Sequence, residues 1–205
     1  MEQRIIDSAN KYKELALMLK DFTLEQAIDD TLPQEVQAAL LKLYYAKTLE
    51  IQLEKCETFL NEDTDGETVN AVADAAEVID GAADAAFFVV EGYTAENKAF
   101  EKMIDNISVD SGVKGVTGHL LKLYKCEDII STAYRCAAKT PLFCYRGSRH
   151  GLEMDIDTAA APEDFIIQQL GIDIYKLFEI RQHLLDEIGK MIERKSKWNG
   201  FLHNR

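Results

Sequence analysis

The chain has 205 residues, enough for one large core or two small ones. Apolar residues make up 47% and charged residues 29%, the balance of a globular protein rather than a disordered or fibrous one. Thirty-six acids against twenty-three Lys and Arg leave a net charge of −13, which argues against a duplex nucleic-acid binder, since such proteins carry a basic footprint.

No apolar run reaches the roughly 18–20 residues that span a bilayer, so no membrane association is expected. The start, Met1-Glu2-Gln3-Arg4, leads into a polar helical pattern rather than a secretory apolar region. The four cysteines, Cys56, Cys126, Cys136 and Cys144, form no Cys-x-x-Cys pair. A chain of this length needs no disulfide staples, so they read as reduced thiols, mostly in the core of a cytoplasmic protein.

Residues 2–20 repeat apolar positions at helical spacing. Thr23-Leu24-Glu25-Gln26 has the form of a capping box opening a short helix, and Thr31-Leu32-Pro33-Gln34 that of a second. The second opens a long helix over about 33–61. A turn follows at 61–66, then a long helix over about 67–91 that ends at Gly92. A shorter helix is predicted over about 95–105, a loop over 106–118 and a helix over about 117–138. Two short apolar runs, 142–145 and 152–156, flank Arg146-Gly147-Ser148-Arg149-His150-Gly151 and read as a small β-hairpin. Pro162 opens a last helical stretch to about 196, interrupted at Gly171. The fold class is therefore all-α, a helical bundle with antiparallel helices and one small β-hairpin near residues 142–156. It is read as a single domain over 1–205, with a metal-binding helical core at 33–115 and C-terminal helices and hairpin at 116–205. Leu40-Leu41-Lys42-Leu43-Tyr44 recurs at 120–124, as a duplication or by coincidence.

The acid is concentrated. Residues 61–110 hold thirteen acids and two bases, a net −11, and no Lys or Arg lies between Lys55 and Lys98. On the helix over 67–91, Val69, Val72, Ala76, Ile79, Ala83, Phe87 and Val90 share one face. Glu77, Asp80 and Asp84 fall within an arc of about 60° on another. On the preceding helix Glu50, Glu54 and Glu57 form a second stripe, bordered by Leu49, Leu53, Cys56 and Leu60. A short turn joins the two helices, so they pack antiparallel and the stripes can face each other. Hard oxygen ligands without Cys or His suit Mg²⁺ or Mn²⁺. The same stripes also fit a plain solvated surface.

Leu53-Glu54-Lys55-Cys56-Glu57, followed by Glu77-Val78-Ile79-Asp80, a second acid at Asp84 and an aromatic-aliphatic run ending in Gly92, resembles the signature of the MazG-like all-α nucleoside triphosphate pyrophosphohydrolases. Asp105-Asn106-Ile107-Ser108 with Lys114 resembles that family's Asn-containing loop. The resemblance covers about residues 38–115. It implies Mg²⁺ (or Mn²⁺) held by Glu54, Glu57, Glu77 and Asp80. It also implies that Glu50 or Asp84 orients the attacking water or completes the shell, and that Asn106 and Lys114 contact the nucleoside triphosphate substrate. Assembly as a homo-oligomer is implied as well. The sequence departs from the pattern at Leu53, where the family has a Glu, and at Val109, where it has a Lys. A second reading of the same acid is a catalytically silent helical interaction protein that binds a basic partner or mimics nucleic acid.

Overall fold

The computed structural model describes residues 1–28, 31–100, 102, 115–139 and 162–194. Six helices are defined here: α1 (Glu2–Leu19), α2 (Gln34–Glu57), α3 (Gly66–Glu96), α4 (Val116–Lys139), α5 (Pro162–Phe165) and α6 (Ile174–Arg194). A π-helical stretch, Ile166–Leu170, follows α5 directly. No strand occurs among the described residues, and the class is all-α. The hairpin expected near 142–156 lies outside the described residues.

The chain divides into two compact units. One comprises 1–122 and 187–205, the other 123–186. The first unit is built on α1, α2 and α3, each of which packs on the other two. α2 is the central element. Its first half is buried almost all round, from Val36 to Leu41 and from Leu43 to Ala46. A helix apolar on every side must be enclosed by neighbours. Each fully buried leucine there, such as Leu40 or Leu41, contributes about 1.5–3 kcal/mol relative to an exposed one. The second half of α2 buries only Leu49 and Leu53, and this leaves Glu50, Glu54 and Glu57 beside a narrow apolar seam.

α3 begins at a true side-chain cap. Asp65 accepts a hydrogen bond from the Thr68 amide at 2.7 Å and another from the Thr68 hydroxyl at 3.1 Å. The turn before it is tied by Asn61, whose carbonyl side chain accepts from the Asp63 amide. The buried stripe of α3 is Thr68, Val72, Ala75, Ile79, Ala82, Ala83, Ala86 and Val90. It keeps Val72, Ile79, Ala83 and Val90 of the expected face but takes Thr68, Ala75, Ala82 and Ala86 in place of Val69, which is 42% exposed, and of Ala76 and Phe87, which are half-buried.

Three local expectations are corrected. Thr23-Leu24-Glu25-Gln26 opens no helix, because Phe22 and Leu24 are buried in an irregular segment. That segment is stitched to α2 by Gln37, which accepts from the Ile28 amide and donates to the Leu32 carbonyl, each at 2.7 Å. The α2 cap position is Pro33, two residues beyond the expected Thr31, and it supplies no side-chain acceptor. Gly92 does not stop α3. The helix runs on to Glu96, where the Tyr93 ring meets Phe100 edge-on at 4.9 Å and Asn97 leaves helical geometry. The helix expected over about 95–105 is described only at 98–100 and 102.

The second unit keeps the expected interruption at Gly171, whose φ of 67° is left-handed and closes the π-helical turn. Asp173 then caps α6 by accepting from the Lys176 amide at 3.0 Å. Within this unit Tyr134 donates a short hydrogen bond to Glu163, and Arg181 lies over the Phe178 ring with its Nε 3.8 Å from Glu127. The buried Cys126 thiol donates to the Leu177 carbonyl, and burial pushes its pKa up to about 12. Cys56 is half-buried and Cys136 exposed, so only one described cysteine is a core thiol. Cys144 is outside the described residues. No described helix is long and apolar enough to cross a membrane.

Candidate functional site

The antiparallel sense of α2 and α3 is visible in what they line together. Ala38, Ala39 and Lys42 share one groove with Ala82, Ala85 and Val89. Further along α2, Glu50, Glu54 and Glu57 share a second cleft with Ala76, Ile79 and Asp80. Rising numbers on α2 therefore meet falling numbers on α3.

The second cleft is small, about 170 Å³. Its floor is Leu53 and Ile79, which are 3% and 1% exposed. Its walls carry four of the carboxylates singled out from the sequence: Glu50, Glu54, Glu57 and Asp80. Leu53, the position that departs from the family pattern, turns into the core because it belongs to the apolar seam of α2. Glu50, one turn earlier, lines the cleft.

The charge at this cleft is felt most at Asp80. Burial of its carboxyl raises its pKa above the ordinary carboxylate range, and the Glu50 carboxylate raises it further. The Lys47 ammonium pulls it back, while Asp84 again raises it. Lys47 also pairs with Glu50 at 2.7 Å and is only 14% exposed. Sequence reasoning overlooked Lys47. Its position three residues before Glu50, on the acidic side of α2, was the available signal.

Glu77 and Asp84 lie one turn on either side of Asp80 but do not line the cleft, and both are exposed. Among the described residues, no group of three or more His, Cys, Asp or Glu stands close enough to hold a metal ion in the present side-chain conformations. The donors at the cleft are carboxylate oxygens only, the ligand type that hard cations take. The positions converge on one cleft; the oxygens do not converge on one point. Asn106 and Lys114 lie outside the described residues. The Cys56 thiol, close to this cleft in sequence, has its pKa raised by burial and by Glu57, which keeps it protonated and poorly nucleophilic.

The chain matches no protein-family model, no characterised protein and no solved structure. The functional reading rests on the cleft and on the residues that form it.

Proposed function

We propose that the protein is a Mg²⁺-dependent nucleoside triphosphate pyrophosphohydrolase, releasing a nucleoside monophosphate and pyrophosphate. The observation that carries this reading is the cleft, where three acids of α2 and Asp80 of α3 meet over an apolar floor. Glu54, Glu57 and Asp80 would hold the cation, with Glu77 joining from the next turn of α3. Bound Mg²⁺ would supply neutralisation of triphosphate charge and a more acidic water. Glu50 and Asp84 orient water and hydrogen bonds around these ligands. Lys47 holds Glu50 in place and offers an ammonium to phosphate oxygens. Asn106 and Lys114 contact phosphate or sugar, and the protein assembles as a homo-oligomer.

Two measurements test this together. Mg²⁺ and Mn²⁺ are titrated calorimetrically into wild type, Glu57→Gln and Asp80→Asn, and pyrophosphate release is followed over a panel of ribo- and deoxynucleoside triphosphates. The expected result is metal-dependent release from at least one nucleotide, lost in both variants. Absence of turnover over the whole panel, with the wild-type fold intact, would falsify the enzymatic reading and move the assignment to an acidic interaction protein.

A further inference from the structure

The first groove between α2 and α3 is a different kind of site. It encloses about 610 Å³, within the range of small-molecule sites. Its floor is Gly81, Ala82, Ala85 and Ala86 of α3, facing Ala38 and Ala39 of α2. Small residues on both sides leave the space between the helices unfilled. A Cβ added at Gly81 would meet nothing within 4 Å. Leu19, Phe22 and Leu24 close the far wall, and Val89 closes one end. The lining spans nine residues on each helix, 34–42 and 81–89, or about 12 Å at the helical rise. An apolar trough of that length suits an extended alkyl chain.

Its rim has the opposite sign from most of the molecule. Two ammonium groups, Lys20 and Lys42, line it against one carboxylate, Glu35. Lys42 reaches across to donate to the Lys20 carbonyl at 3.3 Å, which keeps its charge at the groove. The first residues of α2, Gln34 and Glu35, also line it, so the positive end of a 24-residue helix faces the opening. The α2 cap residue, Pro33, supplies no side-chain acceptor there. In a chain of net charge −13, cations gathered on an apolar groove select for an anion.

We propose that this groove binds a single-chain anionic amphiphile, its alkyl chain on the alanine floor and its carboxylate at the lysine rim. The site is separate from the carboxylate cleft and does not depend on the reaction assigned there.

Dodecanoate, kept below its micelle concentration, is the probe, and dodecyltrimethylammonium is the charge-reversed control. Calorimetric titration of the full chain is expected to show saturable binding of dodecanoate at one site. The cationic amphiphile is expected to bind about tenfold more weakly or worse. Ala85→Phe fills an exposed position of the floor and is expected to weaken dodecanoate by about tenfold. Gly81→Leu, where the added side chain has open space, does the same should Ala85→Phe fail to fold by circular dichroism. Lys20→Glu with Lys42→Glu is expected to abolish the preference for the anion. No saturable dodecanoate binding, equal binding of both amphiphiles, or unchanged affinity in a folded groove-filling variant overturns the proposal.

Discussion

Burial and the Glu50 carboxylate both favour the neutral form of Asp80, and Lys47 only partly opposes them. A carboxyl with a raised folded pKa stabilises the fold most when protonated, below the ordinary value of about 3.9. That contribution is lost as pH rises through the raised folded value. Asp80→Asn, neutral at every pH, is therefore expected to melt higher than wild type near neutral pH and at the same temperature at about pH 3. Calorimetric melting at the two pH values checks it. With Asp80 a Mg²⁺ ligand as proposed, the order would reverse near neutral pH in saturating Mg²⁺. The second unit holds a different electrostatic pair. Glu127 and Arg181 have side chains only 4% and 14% exposed. Arg181→Met takes one cationic neighbour from a buried carboxylate and is expected to lower stability in urea unfolding. Glu127→Leu added to it is expected to recover part of that loss, because the buried charge is gone.

At the scale of elements, single side chains hold the start of α3 and the linker before α2. Asp65 caps α3, and its bond from the Thr68 amide holds its pKa below the usual carboxylate range. A depressed folded pKa gives stability that is present above the unfolded value and lost as pH falls through the folded one. Asp65→Ala is expected to lower the melting temperature at neutral pH, while Asp65→Asn, another good cap, retains most of it. The difference between wild type and Asp65→Ala should shrink on acidification, which a pH series of melting curves measures. Gln37 does for the 20–33 segment what Asp65 does for α3. It is 1% exposed and bonds two backbone groups of that segment. Gln37→Ala leaves those groups without this partner and is expected to cost about 1–3 kcal/mol in urea unfolding, with faster amide exchange at Ile28. The 18-residue α1 packs on α3 and α2 and buries Ile5, Ala9, Ala16 and Leu19. The Lys13–Asp74 pair at 3.1 Å adds no more than about 1 kcal/mol, since Asp74 is 61% exposed.

For the whole molecule, thirty-six acids exceed twenty-three Lys and Arg by thirteen, and most of that excess is concentrated in one stretch, where residues 61–110 carry a net −11. Self-repulsion of that order is long-range, and salt weakens it. The Debye length falls from about 10 Å at 0.1 M to about 3 Å at 1 M. The melting temperature is expected to rise with added NaCl over that range. A fall would mean that specific ion pairs, rather than net repulsion, dominate the charge energy.

The sequence by itself determined the helical class, the boundaries of α1, α2 and α4 to within a few residues, and the break at Gly171. Apolar periodicity, proline and glycine report local backbone preference, and these elements depend on little else. It also marked the acids that share a cleft, because helical spacing alone decides which residues of one helix share a side. Only the tertiary structure decided where those sides point. Leu53 faces the core and Glu50 the cleft because the narrow apolar seam of α2 must meet α3. Glu77 falls outside the lining because the buried stripe of α3 is turned toward Ala75, Ala82 and Ala86, away from it. Gly92 remains helical because Tyr93 finds Phe100 beyond it. The segment at 23–26 stays irregular because Gln37, eleven residues further on, satisfies its neighbour's backbone. Each of these outcomes is a contact beyond a single helical turn overruling a local preference, which one strand of letters does not display.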